Sequence, residues 1–399
     1  MKKNISPTLT LFALAINAFA IGSTEFISVG LLPMIVNNFH VSLAQAGQTV
    51  SLYALGVTLG APLLTILTGK WNRKTLMLAI MLLFIGGNLL AAAAPVFEVL
   101  ILGRIISALA HGIFMSVSTV IAADVVDESK RASAIAIMFT GLTVATVTGV
   151  PLGTFIGEQT TWRMSFVFIA VVGVIGLIAS FILVPKNLPI PGKVDLKGIK
   201  RIFTNKPLVF SYLITAFGYG GTFAAYTYLS PILEQYMGYS PSGIVILLIV
   251  YGVMVAIGNT LGGQLANKNT LRALLRMFYL LTGALLFLFV AIEIGGMVIG
   301  TLAVLTVGLF AFMNVPGLQL YVVQLAEMFV PKDIALASAF NIAAFNIGIT
   351  LGSSLGAQVT KDLNVSFTPI FGMILVILAI GLIYHTKRKH QLSIESISD

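Results

Sequence analysis

The stretch LTLFALAINAFAIGSTEFISVGLLPMIV, Leu9 to Val36, is apolar almost throughout and carries one charge, Glu25. A helix needs roughly 20 consecutive apolar residues to cross a bilayer, so this run reads as a membrane span with a carboxylate inside it. An ionisable side chain at the bilayer centre costs on the order of 2.5–3.5 kcal/mol on insertion scales. Such groups survive mainly by facing a cavity, by pairing, or by carrying protons and ions. Arg104 is the matching oddity, the lone cation inside the fourth apolar segment. Together the two residues point to transport across a membrane.

Outward from that run, eleven more apolar segments begin near Ala46, Thr75, Val99, Ala134, Trp162, Leu208, Ser242, Leu271, Val298, Ile334 and Phe367. The chain of 399 residues is 58% hydrophobic and 9% charged, with a mean hydropathy of +1.01, which excludes an ordinary soluble protein. It contains no cysteine, so disulfide frameworks and thiolate metal sites are absent. Lys2, Lys3 and Ala18-Phe19-Ala20 look like a secretory signal with its cleavage site, but the apolar run continues to Val36, too long for a signal core. It is retained as the first of twelve spans.

Basic residues orient the chain. With the N-terminus inside, twenty of the 23 Lys and Arg residues fall in cytoplasmic segments, among them Lys2, Lys3, Lys70, Arg73, Lys74, Lys130 and Arg131. Arg163 and Lys361 face outside and Arg104 lies in the membrane. This asymmetry puts both termini in the cytoplasm. It also accounts for the net charge of +9 through topology and contact with anionic lipid, without nucleic acid.

The segments divide evenly around the one long polar connection, Pro185 to Lys206, where Pro185, Pro189, Pro191 and Gly192 interrupt structure. Its Asp195–Phe203 portion is suited to a short amphipathic helix at the membrane surface. The expected organisation is a six-helix bundle over 1–184, a cytoplasmic linker over 185–206, a second six-helix bundle over 207–386, and a cytoplasmic tail over 387–399. The halves echo each other. Segment five holds Gly149, Gly153 and Gly157, and segment eleven holds Gly348, Gly352 and Gly356, both GxxxGxxxG patterns that let helix backbones approach closely. Segments two and eight end in Gly60-Ala61-Pro62-Leu63 and Gly262-Gly263-Gln264-Leu265. The fold expected is an all-α membrane protein of twelve transmembrane helices, in two bundles related by pseudo-symmetry.

These residues resemble the major facilitator superfamily over nearly the whole chain. Within it they are similar to the twelve-span drug–proton antiporter group, especially bacterial sugar, arabinose and purine exporters. The resemblance rests on Gly22-Ser23-Thr24-Glu25-Phe26, on Arg104 followed by His111-Gly112, on Gly149-Val150-Pro151-Leu152-Gly153 and on Trp162-Arg163-Met164-Ser165-Phe166. It implies that Gly149, Pro151 and Gly153 form the antiporter motif of segment five, and that Lys70, Arg73 and Lys74 are the basic end of a gating loop. That loop departs from the family pattern, with Gly69 where an aspartate is expected and Asn267 in the repeat position. The resemblance further implies export, residence in a bacterial cytoplasmic (inner) membrane, and a monomer.

A helix rises about 1.5 Å per residue, which sets Arg104 ~9 Å, Glu25 ~16 Å and His111 ~20 Å below the outer face. Ser107 and His111 follow Arg104 on one helix face. Burial without a cation favours a neutral carboxyl, and a nearby guanidinium favours the carboxylate. A change in access or in the distance to Arg104 would therefore let Glu25 take a proton on one side and release it on the other. On this reading Glu25 carries the coupling proton and contacts substrate, and Arg104 tunes it. The competing reading is a fixed Glu25–Arg104 ion pair that only fastens two spans. His111 either relays protons and touches substrate or is a neutral histidine bonded across a helix interface.

The second half has no charge in mid-span. Tyr212, Tyr219 and Tyr226 form a stripe along segment seven, with Gly218, Gly220 and Gly221 as a place for bending. Asn314 and Tyr321 share a face beside Pro316, and Asn341 and Asn346 lie in segment eleven. Ser107, Tyr219, Tyr226, Asn314 and Asn341 are the candidate substrate contacts beside Glu25 and His111. Packing and interhelical hydrogen bonds are the alternative role for the neutral ones. A neutral, partly aromatic wall facing a charged one suits a small polar or zwitterionic metabolite such as a sugar, nucleoside or amino acid. The alternative is multidrug efflux of amphiphilic cations, drawn by Glu25 and held on aromatic faces.

Other classes fit poorly. Gly352-Ser353-Ser354-Leu355-Gly356 matches G-x-S-x-G but lies within a span, without the strand–turn–helix context a nucleophile elbow needs. No G-x-x-x-x-G-K-[ST] sequence exists. The function expected is a proton-coupled secondary transporter, not an enzyme, with no metal or cofactor and with protons, lipid and a small molecule as its partners.

Overall fold

The computed structural model describes residues 6–68, 71–127, 131–188, 196–266 and 269–398, and its regular structure there is entirely helical. Lys2, Lys3, Lys70, Lys130, Lys193, Asn267 and Lys268 lie outside the described residues, as do Gly69 and the 189–195 part of the linker.

The first helices are α1 (Pro7–Phe39), α2 (Leu43–Thr68), α3 (Arg73–Ala92) and α4 (Phe97–Asp124). Segment five is split into α5 (Arg131–Val144) and α6 (Val150–Gln159), and α7 (Trp162–Leu183) completes this series. Then come α8 (Leu196–Thr204), α9 (Lys206–Tyr226), α10 (Leu229–Met237), α11 (Pro241–Ala266) and α12 (Thr270–Ile294). The last are α13 (Met297–Ala311), α14 (Val315–Phe329), α15 (Ile334–Asp362) and α16 (Thr368–Ser398).

Short polar residues set the helix starts. Ser42 Oγ accepts from the Gln45 N–H while Gln45 Oε1 accepts from the Ser42 N–H, a reciprocal cap at the head of α2. Asn72, Asn205 and Asn269 each accept a backbone N–H in the first turn of α3, α9 and α12. Gly295 and Gly296, at φ 73° and 95°, turn the chain between α12 and α13 in a backbone region that glycine alone enters freely.

Among the described residues, eleven helices are long and apolar enough to cross a membrane. The sequence predicts twelve. The one outside that set is α2, a helix of 26 residues. Segment ten is not one rod. Pro316 cannot donate to the Phe312 carbonyl, and the Val315 N–H takes it at 3.1 Å instead, so α13 stops and α14 restarts. The Ala311 carbonyl oxygen, freed at that break, accepts from Thr222 Oγ1 and from Asn314 Nδ2, each at 3.2 Å. Segment five widens into a π turn at Ala145–Gly149, immediately before Val150-Pro151.

The chain forms two compact units, 1–194 with 240–249, and 195–239 with 250–399. In the first, α1 packs on α5, α6 and α7, α2 on α4, and α3 on α4 and α7. In the second, α9 packs on α15 and α16, and α12 on α13 and α16. Both units use the glycine repeat in the same way. Gly149, Gly153 and Gly157 face Ser23, Ile27 and Leu31 of α1. In the second unit a Cβ on Gly348 would stand 2.6 Å from the Ala216 carbonyl oxygen, and one on Gly356 would stand 2.7 Å from that of Ala224.

The glycines of α9 differ from their expected use as a bending point. That helix runs unbroken from Lys206 to Tyr226, and the chain breaks at Thr227-Tyr228 instead. Gly218 faces Phe278, Gly220 faces Gly348, and Gly221 faces Gly372 and Val376. Each glycine thus admits a different neighbour to the backbone of a continuous helix.

Candidate functional site

In the first unit, α1, α2 and α4 converge on the Arg104 guanidinium, which is fully buried. Its Nη1 donates to the Thr24 carbonyl at 2.6 Å, its Nε to the Thr49 carbonyl at 3.1 Å and its Nη2 to the Glu25 carbonyl at 3.3 Å. The planar fork thereby ties α4 to two other helices through backbone oxygens. Its flat face lies over the Tyr53 ring, with the guanidinium carbon 4.1 Å from the ring centre. Phe166 of α7 lies further off, at 5.9 Å.

Glu25 is half-buried, and among the described residues its carboxylate makes no ion pair and no hydrogen bond. The fixed side-chain pair between Glu25 and Arg104 is therefore not the arrangement present. Arg104 holds the helix backbone around Glu25 and leaves the carboxylate free.

His111 lies across the α2–α4 interface, its Nδ1 3.2 Å from the Tyr53 hydroxyl. Ser107 does not join this group. Its hydroxyl donates back to the Gly103 carbonyl at 3.0 Å, and it sits against Gly87 of α3. Arg104, Ser107 and His111 share a helix but meet different neighbours. Thr24 and Asn88 complete the polar lining, with Thr24 Oγ1 donating to Asn88 Oδ1 at 3.4 Å and to the Ala20 carbonyl at 3.2 Å. Tyr53, Thr49 and Asn88 were not anticipated from the sequence, where a lone tyrosine and two small polar residues are unremarkable in apolar runs.

The second unit holds an uncharged aromatic cluster. Tyr219 packs edge-on against Phe312 and Phe345, with centroids 5.6 and 4.9 Å away. Tyr226 stacks on Tyr251 of α11 at 5.1 Å and 12°. Tyr212 is separate, donating its hydroxyl to the Ala337 carbonyl at 3.1 Å. Asn341 is fully engaged, with Oδ1 accepting from Thr215 at 2.7 Å and Nδ2 donating to Gln319 Oε1 at 2.8 Å. Asn314 and Asn346 each spend only Nδ2, on the Ala311 and Ile342 carbonyls, and leave a buried oxygen without a partner. The Tyr251 hydroxyl is buried without a partner as well. These three are among the buried polar atoms with which this unit could still bind something polar.

Arg73 and Lys74, which the sequence suggests as the basic end of a gating loop, are anchored locally. Arg73 pairs with Asp124 at the end of α4. Lys74 Nζ donates to the Phe181 and Val184 carbonyls, both at 2.6 Å, at the C-terminal end of α7 where free carbonyls attract a cation. Asp124 supplies an acid near a loop whose own sequence lacks one. Gly149 and Gly153 line the α1 contact, with Pro151 between them just past the π turn. Among the described residues, no group of three or more His, Cys, Asp or Glu side chains could hold a metal.

Comparison with known proteins bears on the family and the fold. The family described as Major Facilitator Superfamily matches residues 14–328. The uncharacterized MFS-type transporter YtbD of Bacillus subtilis (strain 168) is 51% identical over 379 residues, 95% of each chain. The inner membrane transport protein YdhP of Escherichia coli (strain K12) is 38% identical over 383 residues, 95% of this chain and 96% of its own. Among solved structures, a bacterial homolog of the human lysosomal transporter Spinster, inward-facing and unoccupied, has a TM-score of 0.76 at 17% identity, covering 97% of this chain and 98% of that one. At that identity the likeness concerns the fold.

Proposed function

The chain belongs to the Major Facilitator Superfamily, and from that premise we propose that it is a proton-coupled exporter of a small polar or zwitterionic metabolite. It is an all-α, multi-pass membrane transporter and not an enzyme. In the fuller reading, α2 is the twelfth span, and the spans form two six-helix bundles over 1–184 and 207–386. The linker 185–206, the tail 387–399 and both termini are cytoplasmic, and the protein works as a monomer in a bacterial cytoplasmic membrane by alternating access.

One observation carries the coupling: Glu25 is a carboxylate within a span that, among the described residues, no cation neutralises at contact distance, beside a guanidinium already engaged by three carbonyls. A group so placed can gain and lose a proton without breaking an ion pair, which is the property a proton carrier needs. Arg104 keeps α1 in register with α2 and α4 while Glu25 changes state. The small neutral polar atoms left open in the second unit support a cargo with hydrogen-bonding groups. The stacked Tyr226 and Tyr251 rings favour a second reading, efflux of amphiphilic cations, because aromatic faces attract cations.

The test is proton movement in proteoliposomes that carry a pH-sensitive dye. Sugars, nucleosides, amino acids and lipophilic cations are added in turn to wild type and to Glu25→Gln. A metabolite-triggered proton flux that disappears in Glu25→Gln supports the proposal. Flux with lipophilic cations alone favours the second reading, and substrate accumulation against a gradient by Glu25→Gln would remove Glu25 from coupling.

A further inference from the structure

Tyr53 touches two ionisable residues of α4, Arg104 and His111. Its ring carries the Arg104 guanidinium on one face, and its hydroxyl meets His111 Nδ1 at 3.2 Å. One turn earlier on α2, the Thr49 carbonyl accepts from the same guanidinium. Tyr53 is 1% exposed, so solvent does not complete the hydrogen bonding of its hydroxyl. We infer that Tyr53 is a positioning residue whose hydroxyl donates to His111 Nδ1, so that His111 carries its proton on Nε2 and presents a hydrogen-bond donor there.

The heavy atoms alone allow two arrangements. Either the phenol donates to a bare Nδ1, or an Nδ1–H donates to the phenolic oxygen. Two features of the site choose between them. Among the described residues the Tyr53 hydroxyl has no hydrogen-bond partner except Nδ1. If Nδ1 were the donor, the phenolic proton would be buried with nothing to accept it, an arrangement native interiors avoid. The second feature is Arg104. A cation held over the ring face draws on its π electrons, which makes the phenolic oxygen a poorer acceptor and its O–H a stronger donor. Both point to the phenol as donor. A neutral imidazole has one N–H, so the proton then sits on Nε2.

This tautomer has a consequence for cargo, which rests on the reading of His111 as a substrate contact. Among the described residues Nε2 makes no hydrogen bond. An Nε2–H seeks an acceptor: a carbonyl, carboxylate or hydroxyl oxygen on the transported molecule. An aliphatic ammonium, which has donors and no acceptor, would find nothing at His111. The hydroxyl of Tyr53 would thus select against such cations without touching them.

The tautomer can be read without knowing the cargo. Full-length protein is labelled with [15N]histidine, purified in detergent, and its ring nitrogens are recorded by long-range proton–nitrogen NMR. The chain has four histidines, so the signal lost in His111→Gln, or in His111→Asn if the first variant does not fold, assigns His111. The expected spectrum of wild type shows a bare, pyridine-like Nδ1 and a protonated Nε2. A protonated Nδ1, alone or together with Nε2, overturns the inference. Tyr53→Phe keeps the ring beneath Arg104 and removes the donor. It is expected to move the His111 signals to the averaged positions of two exchanging tautomers, whereas signals unchanged from wild type would show that the hydroxyl does not set them. None of these outcomes depends on proton coupling at Glu25, so the two proposals stand or fall separately.

Discussion

Arg104 meets Glu25 at the backbone, with Nη2 3.3 Å from the Glu25 carbonyl oxygen, while the carboxylate of the same residue has no ion pair among the described residues. The two members of an apparent charge pair therefore have separable roles. Arg104 is structural at its donors, because Thr24, Glu25 and Thr49 supply acceptors from two helices. Glu25 is free at its acid.

Substitution should separate those roles. Lysine is a point charge on a flexible stem and cannot span three carbonyls on two helices. Arg104→Lys is expected to lose about 2–4 kcal/mol of stability, the scale of breaking a buried charge-assisted network. Glu25→Gln removes no ion pair and should stay within about 0.5 kcal/mol of wild type. Thermal unfolding of the two variants in the same detergent checks this. An equal, large loss in both would restore the ion-pair reading.

What the sequence disclosed follows the same division. Glu25 and Arg104 stand out because a charge in an apolar run is costly wherever the run ends up. Tyr53 does not, because a tyrosine in such a run is ordinary until its neighbours are known. Asp124 likewise reads as the polar end of a segment, and only the fold brings it to Arg73, across a full pair of helices. The repeats at Gly149 and Gly348 were legible as close helix contacts since their spacing keeps one face. Gly218, Gly220 and Gly221 read in the sequence as a bending point, whereas their separate, closely packed partners are visible only in the fold, because adjacent glycines point to different sides.

The glycine contact in the second unit makes a sharp prediction. A Cβ on Gly352 would press on the Gly220 backbone, with the carbonyl carbon at 2.8 Å and the Ala224 nitrogen at 3.0 Å. Backbone cannot rotate away, so α9 and α15 must separate. Gly352→Ala is expected to cost about 1–3 kcal/mol, as overpacking does. Gly283 of α12 has nothing within 4 Å of the same added atom, and Gly283→Ala should be neutral or stabilising. Unfolding temperatures of the two alanine variants measured side by side would decide it, and equal losses would count against the close contact.

The amphipathic helix α8 is held to the start of α15 by a two-pronged pair. Arg201 Nε donates to Asp333 Oδ2 at 2.7 Å and its Nη2 to Oδ1 at 2.9 Å, and the Phe203 ring sits against Phe340 at 4.8 Å. The hydrogen bonds from Arg201 hold the Asp333 carboxyl below its ordinary value of 3.8. A carboxyl lowered in the folded state stabilises the fold fully above its unfolded value, and that contribution is lost as pH falls through the folded one. Hydrogen exchange of the α8 amides, corrected for the intrinsic rate, should therefore be slower in wild type than in Asp333→Asn at pH 7. The difference should close only below pH 3.8, where wild type becomes protonated as well. Protection that is equal in the two proteins at pH 7 would show that α8 is docked by its apolar face alone.

Tyr251 offers the cleanest separation of stability from binding. Its hydroxyl is buried, has no hydrogen-bond partner among the described residues, and belongs to the ring stacked on Tyr226. An orphaned buried hydroxyl carries a desolvation penalty of about 1–3 kcal/mol with nothing in return. Tyr251→Phe keeps the stacked ring and removes that penalty, so the unfolding temperature is expected to stay level or rise by a few degrees. A group kept at such a cost should act on something else. If the hydroxyl meets cargo, Tyr251→Phe raises the KM for transport about tenfold, the loss expected from one hydrogen bond to a neutral partner. A lowered unfolding temperature would show that the hydroxyl does have a structural partner. A raised temperature with unchanged KM would leave the ring, rather than its oxygen, as the contribution of Tyr251.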